Sequence, residues 1–210
     1  MGTFQPREFA APSGAARALV DAVPLATLVI GDLSAVQLPL LCPDPPGVDP
    51  TVMLGHVAAA GPFAAVTSTD ALAIHLGVDG YVSPSWYATK REHGRVVPTW
   101  DYQSVHLRGT LHISGDDDQI MRVITALTER HERGRDAPWA VTDAPAAYIA
   151  RLRRNILAVR LDVHEIVVTH KLSQNRSAED VAGVVAGLRA DGGRAAADVA
   201  DAVEHASLPR

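Results

Sequence analysis

The stretch LAVRLDVHEIVVTHKLSQN, residues 157–175, decides the reading of this chain. Val159, Leu161 and Val163 alternate with Arg160, Asp162 and His164, so one face of the segment is apolar and the other polar. A period of two is that of a β-strand with one side on a core and the other in water, the habit of antiparallel sheets.

Working outward, Leu25 to Ile30 and Ala35 to Cys42 are two further β-runs, separated by the turn-forming Gly31, Asp32 and Ser34, which is a hairpin signal. The segment ALAIHLGVDGYVS, residues 71–83, predicts two more runs around Gly77 and Gly80. VVPTWDYQSVHLRGTLHISG, residues 96–115, reads as one long strand, bent at Gly109. PDPPGVDPT, residues 43–51, is a loop by its prolines, and VMLGHVAAAGP after it is too short and glycine-punctuated for a long helix. Helical spacing occurs at Ala15, Leu19, Val20 and Val23, with Ser13 as N-cap, and most clearly in residues 116–132, where Ile120, Val123, Ile124 and Leu127 share a face behind three aspartates. A helix from Pro145 to Ile156 would carry Ala147, Tyr148, Leu152 and Ile156 on one stripe. From Ala178 to Leu208 the alanine-rich chain predicts a helix pair broken at RADGGR, its last dozen residues frayed. Strands gathered in hairpins with few crossover helices favour a mainly β fold, an antiparallel barrel with peripheral helices, over a doubly wound sheet. The expected organisation is a barrel domain over residues 1–177 and a helical extension over 178–210.

Composition narrows the function. In 210 residues, 47% are apolar but only 5% aromatic, so alanine, valine and leucine must fill most of the core. A net charge of −5 offers no general attraction to nucleic-acid phosphates or anionic lipid. The single cysteine, Cys42, excludes an internal disulfide and any multi-cysteine metal site, which fits a reducing compartment, and the apolar run before it points to a buried structural thiol. No apolar run approaches membrane-spanning length and the N-terminus lacks the pattern of a secretion signal, so a cytoplasmic protein without membrane contact is expected.

Two of the three tryptophans and two of the four tyrosines nevertheless crowd into YVSPSWYATKREHGRVVPTW, residues 81–100. Pro84 cannot continue a ladder, so the strand should stop at Val82 and present Ser83 and Ser85 at a sheet rim, close to Lys90 and Arg91. Hydroxyls, free amides and a cation form a phosphate cradle, while Trp86, Tyr87 and Trp100 can supply flat surface for a heteroaromatic ring. The alternative is a rim loop stapled to the core by its aromatics, its cations merely solvated.

GYVSPSWY, HGRVVPTWDYQSVHLRG, LGHVA and HKLSQNRSAEDVAGVVAGL together resemble the FMN-binding negative transcriptional regulators of the PaiB type, and the similarity runs from FQPREF to about Leu188. The resemblance implies the FMN-binding split β-barrel fold, FMN as cofactor and a homodimer with flavin at the subunit interface. Carried over by position, Ser83, Ser85, Trp86, Lys90, Thr99 and Trp100 match the family's serine, tryptophan, lysine and Pro-Thr-Trp positions. Gln174, Asn175 and Arg176 would then meet the pyrimidine edge of the flavin; otherwise Ser173 caps the last helix and Asn175 and Arg176 are surface residues of its first turn. Ala59, Gly61 and Asp101 depart from the family's arginine and two asparagines, and an anionic Asp101 near the cofactor would repel its phosphate.

Nine histidines are many for this length, but neither a His-x-His nor a His-x-x-x-His pair occurs, so core or surface roles are expected rather than a metal site. His56 is the one to test for a cofactor or substrate role. No catalytic triad or paired carboxylate stands out, and whether the chain is an enzyme stays open. Three functions compete: a dimeric FMN-binding regulator, an FMN-dependent oxidoreductase on the same fold, and a repressor that has lost flavin and contacts DNA through KREHGR, RLRR and the arginines at 130–135.

Overall fold

The computed structural model describes residues 5–11 and 14–207. Ser13, expected to cap the first helix, lies outside the described residues. Six strands form one antiparallel sheet: β1 (Leu25–Ile30), β2 (Ala35–Pro39), β3 (Val52–Ala58), β4 (Ser68–Val82), β5 (Thr99–Ser114) and β6 (Ile156–Lys171). Their order is β2-β1-β4-β5-β6-β3. Six helices accompany them: α1 (Ala15–Ala22), α2 (Thr89–His93), α3 (Asp117–Glu132), α4 (Ala146–Leu152), α5 (Ala178–Asp191) and α6 (Arg194–Ala206). The chain divides into two compact units, one of Met1–Ser13, Leu76–Val105 and Val167–Arg210, the other of Gly14–His75 and His106–Ile166.

In the second unit β1 pairs β2 from Leu25↔Pro39 to Val29↔Ala35, and pairs β4 from Thr27↔Ile74 to Ile30↔Ala71. β3 pairs β6 from Val52↔Asp162 to Ala58↔Ile156. The outermost strands of the order then meet, because Leu41 and Leu54 exchange backbone hydrogen bonds of 2.7 and 2.8 Å. Edge amides and carbonyls that would otherwise face water are paired by this closure. Gly109 lies within β5, one long strand as predicted, where an added Cβ would come within 2.0 Å of the Asp162 carbonyl oxygen, so the glycine admits a close approach of β6. α3 begins at Asp116, whose carboxylate accepts from the Gln119 amide at 2.9 Å, and it sets Ile120, Val123 and Leu127 against Ala158 of β6.

In the first unit α5 and α6 enclose a core of Val82, Tyr87, Leu172, Val184, Leu188, Val199 and Val203. The predicted fraying of the last dozen residues is not found as far as Ala206: α6 buries Val199, Ala200 and Val203, which holds it in place. Two other expectations need correction. β4 is one strand through Gly77 and Gly80 rather than two runs, because the ladder supplies backbone order that glycine alone lacks. The predicted helix to Ile156 ends at Leu152, passes through a 3-10 turn, Arg153–Asn155, and gives Ile156 to β6; Tyr148 and Leu152, assigned to its apolar stripe, are exposed.

Candidate functional site

The nine residues carried over from the family pattern lie in the first unit, and His56 lies in the second. β4 stops at Val82, and Ser83 opens a 3-10 turn over Pro84–Trp86 with its Oγ accepting from the Ser85 amide at 3.2 Å. Tyr87 follows, buried, and Thr89 starts α2 with its amide and hydroxyl both donating to the Asp180 carboxylate, at 3.0 and 2.8 Å. Gly94 ends α2 with a left-handed φ of 67°. The loop is thus rooted at Tyr87 and Thr89, while its polar tip is open: Lys90 is exposed and its Nζ donates to the exposed Ser85 Oγ at 3.0 Å. A lysine held by one neutral hydroxyl in water readily trades that bond for a charge-assisted one to an anion. Ser83, Ser85 and Lys90 therefore stand together as a donor set suited to a phosphate.

Trp86 is half-buried against α5. A Cβ at Gly183 would sit 2.0 Å from the Trp86 carbonyl oxygen, and one at Gly187 would sit 2.3–2.5 Å from the indole. The Gly-x-x-x-Gly face of α5 therefore admits this tryptophan. Tyr87, read as ring surface, is a core residue, and the Arg176 guanidinium lies 4.7 Å from its ring centre. Burial pushes the Tyr87 hydroxyl pKa up, partly offset by the Arg176 charge.

Thr99 and Trp100 open β5. Lys171, at the end of β6, donates to the Thr99 hydroxyl and, at 2.8 Å, to the Trp100 carbonyl. The Trp100 Nε1 donates to Asp79 at 2.8 Å, and the indole meets Tyr81 edge-on, with ring centres 6.3 Å apart. These two rings are 51% and 47% exposed, uncovered aromatic surface that a planar ring can stack on.

Gln174 is engaged within the chain: its Oε1 accepts from the Leu172 amide at 2.7 Å, and its Nε2 donates to the His170 carbonyl and, at 3.2 Å, to that of Glu8. Asn175 is exposed. Ser173 does not cap α5; Ser177 does, its Oγ accepting from the Asp180 amide at 3.2 Å. Ser173 instead takes a left-handed φ of 58°, which turns its hydroxyl onto the Asp101 carboxylate at 2.6 Å. Asp101 is 1% exposed, and burial raises its pKa against the opposing pull of Ser173, Lys171 and Arg176. Its carboxylate is turned inward onto Ser173 rather than out into water.

Sequence reasoning missed the supporting residues: Lys171 and Asp180 lie inside the quoted motif but carry no signal that they clamp Thr99 and Thr89, and Asp79 is one acid among many. His56 sits on β3 opposite Ala158, with its buried Nδ1 unpartnered and its pKa lowered by burial, a neutral ring. Cys42 is buried and its thiol pKa is raised by burial, as expected of a structural cysteine. Among the described residues no three metal-ligating side chains gather, and no helix is long and apolar enough to cross a membrane.

Residues 3–165 match the family described as "Putative FMN-binding domain". The chain is 30% identical over 135 residues to protease synthase and sporulation protein PAI 2 of Bacillus subtilis, covering 64% of this chain and 62% of that one. It is 30% identical over 132 residues to an uncharacterized protein of Emericella nidulans, covering 57% of this chain and 53% of the other. It thus spans less than two thirds of the length of these curated relatives. Among solved structures it is similar to the FAD and heme binding protein of Mycobacterium smegmatis (22% identity, TM-score 0.52, 78% of this chain and 74% of that). It is also similar to the flavocytochrome Anf3 of Azotobacter vinelandii (17% identity, TM-score 0.55, 86% and 78%). At these identities the likeness is one of fold, the antiparallel split β-barrel.

Proposed function

The chain belongs to the FMN-binding domain family, with FMN its cofactor, and from that premise we propose that Ser83, Ser85 and Lys90 hold the FMN phosphate while the exposed Trp100 and Tyr81 meet the ring system. The observation that carries this is the Lys90–Ser85 contact of 3.0 Å on a loop whose roots are buried and whose tip is open. Fixed roots keep the donors in place, so little ordering cost is added when the anion arrives. Lys171 holds the Thr99–Trp100 main chain and keeps the indole at its station. Trp86 and Gln174 act as supports for the loop and for the 170–176 turn, and Asn175 and Arg176 border the flavin edge. Bound FMN supplies a redox-active ring; the protein supplies orientation and charge.

The biological reading is a homodimeric, cytoplasmic, flavin-responsive regulator of the PaiB type; the similarity to PAI 2 supports the PaiB-type part of it. Direct DNA contact draws little support from charge: the net charge is −5, and Arg153 is paired with Asp117 at 2.7 Å. The test is fluorescence titration of Lys90→Ala with FMN and with riboflavin, which lacks the phosphate. The variant should lose about tenfold or more in FMN affinity, as for a charge-assisted hydrogen bond, and keep its riboflavin affinity. Equal losses for both ligands would remove Lys90 from the phosphate site.

A further inference from the structure

α4 buries none of its side chains, yet its Ile149 and two of its alanines face a cavity of about 470 Å³ whose opposite wall is α3, from Met121 to Glu129. The cavity is open to water at Glu129, Ala140, Thr142 and Ala146, and a short helix beside such a cleft gains apolar contact by closing onto it. Here the walls are tied on both sides. The Glu132 carboxylate accepts from the Trp139 amide at 3.0 Å and the Asp143 carboxylate from the Ala140 amide at 2.9 Å, fixing the turn before α4. Beyond α4, Arg153 is paired with Asp117 on the first turn of α3 at 2.7 Å. The cavity is therefore preformed, in the size range of small-molecule sites, and mainly apolar through Met121, Val141 and Ile149.

Its polar groups have a pattern. Thr125, Thr128 and Glu129 project from one face of α3, and Thr142 from the turn opposite. None of these four side chains has a hydrogen-bond or ion-pair partner among the described residues. Arg153, the cation at the cavity, is neutralised by Asp117, so Glu129 is left as its uncompensated charge. We propose that this cavity between α3 and α4 is a second ligand site, separate from the flavin loop, for a small apolar molecule bearing one protonated amine. The amine pairs with Glu129, the threonine hydroxyls accept its remaining protons, and the apolar body lies against Met121, Val141 and Ile149. Three hydroxyls and a carboxylate can together satisfy the three N–H donors of a primary ammonium. A carboxylate ligand meets repulsion from Glu129 instead, and a neutral one leaves that charge unmatched.

Calorimetric titration of the FMN-loaded chain with tryptamine, 3-ethylindole and indole-3-propionate tests this, since the three share a ring and differ in tail charge. Tryptamine should bind saturably, at least tenfold tighter than 3-ethylindole, with indole-3-propionate weakest and the flavin retained. Glu129→Gln, at an exposed position, should erase most of the preference for the amine, and Ala150→Met, which fills the cavity, should weaken all three ligands. No saturable tryptamine binding, equal binding of the three, or a preference that survives Glu129→Gln overturns the assignment. So does release of FMN in proportion to tryptamine bound, which would put the amine at the flavin site.

Discussion

His75 lies in β4 with no solvent exposure; its Nδ1 is 2.7 Å from the Val23 carbonyl, and its Nε2 is enclosed without a partner. Burial lowers its pKa, the Val23 bond opposing this in part, because a second proton would place an unpaired charge in the core. The unfolded chain takes that proton near pH 6.5 and the folded one only at lower pH, so stability is full above about 6.5 and falls as pH drops below it. His56 and His106 shift the same way, also by burial. Asp101, whose pKa is raised by burial, acts in the opposite sense: it costs stability when ionised and returns some as acid protonates it. Urea unfolding at pH 7.5 and 5.5 should show a net loss in acid, made smaller by His75→Gln, whose amide can still donate to Val23; an unchanged loss would clear His75. Asp101→Asn should leave FMN affinity within about threefold and stability at pH 7 equal or higher by ~1 kcal/mol, since a buried charge is removed while an acceptor for Ser173 remains. A tenfold gain in FMN affinity would mean that the carboxylate faces the phosphate. That inward turn was illegible in the sequence, where Asp101 reads as an anion set against the cofactor phosphate; the left-handed Ser173 that captures it belongs to a loop 72 residues away.

The strand elements were the most legible, because alternation in β6 records burial of one face directly and the turn residues after Ile30 mark the β1–β2 hairpin. β4 was less so: glycines at 77 and 80 look like breaks, and only the neighbours in the sheet keep the strand whole. α4 was misread for a related reason, its apolar spacing being that of a core helix although Tyr148 and Leu152 face outward. α5 offers the sharpest test at this scale. An exposed helical glycine changed to alanine usually gains up to about 1 kcal/mol. Gly187→Ala should reverse that sign, since the new Cβ would lie 2.3 Å from the Trp86 indole, costing on the order of 1–3 kcal/mol as other overpacked sites do. Thermal unfolding should register the loss, and Trp86→Ala in the same chain should relieve most of it. A stabilised Gly187→Ala would mean that Trp86 does not rest on α5.

For the whole molecule, the antiparallel architecture was legible, but the Leu41–Leu54 closure was not, since two hydrogen bonds between the ends of a strand order leave no mark on local periodicity. The loop proposed to hold phosphate stands out in the sequence as a cluster of residue types, because proline, serine and lysine each have a local reason to be there; the sequence does not separate its aromatics, of which Trp100 is open, Trp86 clamped and Tyr87 in the core. Leu76, Tyr81, Val97 and Trp100 of the first unit are exposed, apolar surface that the proposed homodimer can cover. Sedimentation at micromolar concentration should therefore give twice the chain's 22.2 kDa, and a single species at 22.2 kDa would contradict the dimer. The proposed FMN site grips its ligand through the phosphate. Paired titrations of the wild-type chain with FMN and with riboflavin, followed by flavin fluorescence, test that most directly: FMN should saturate at one per chain and bind at least tenfold tighter than riboflavin, whereas equal affinities, or no saturable FMN binding at all, would contradict it.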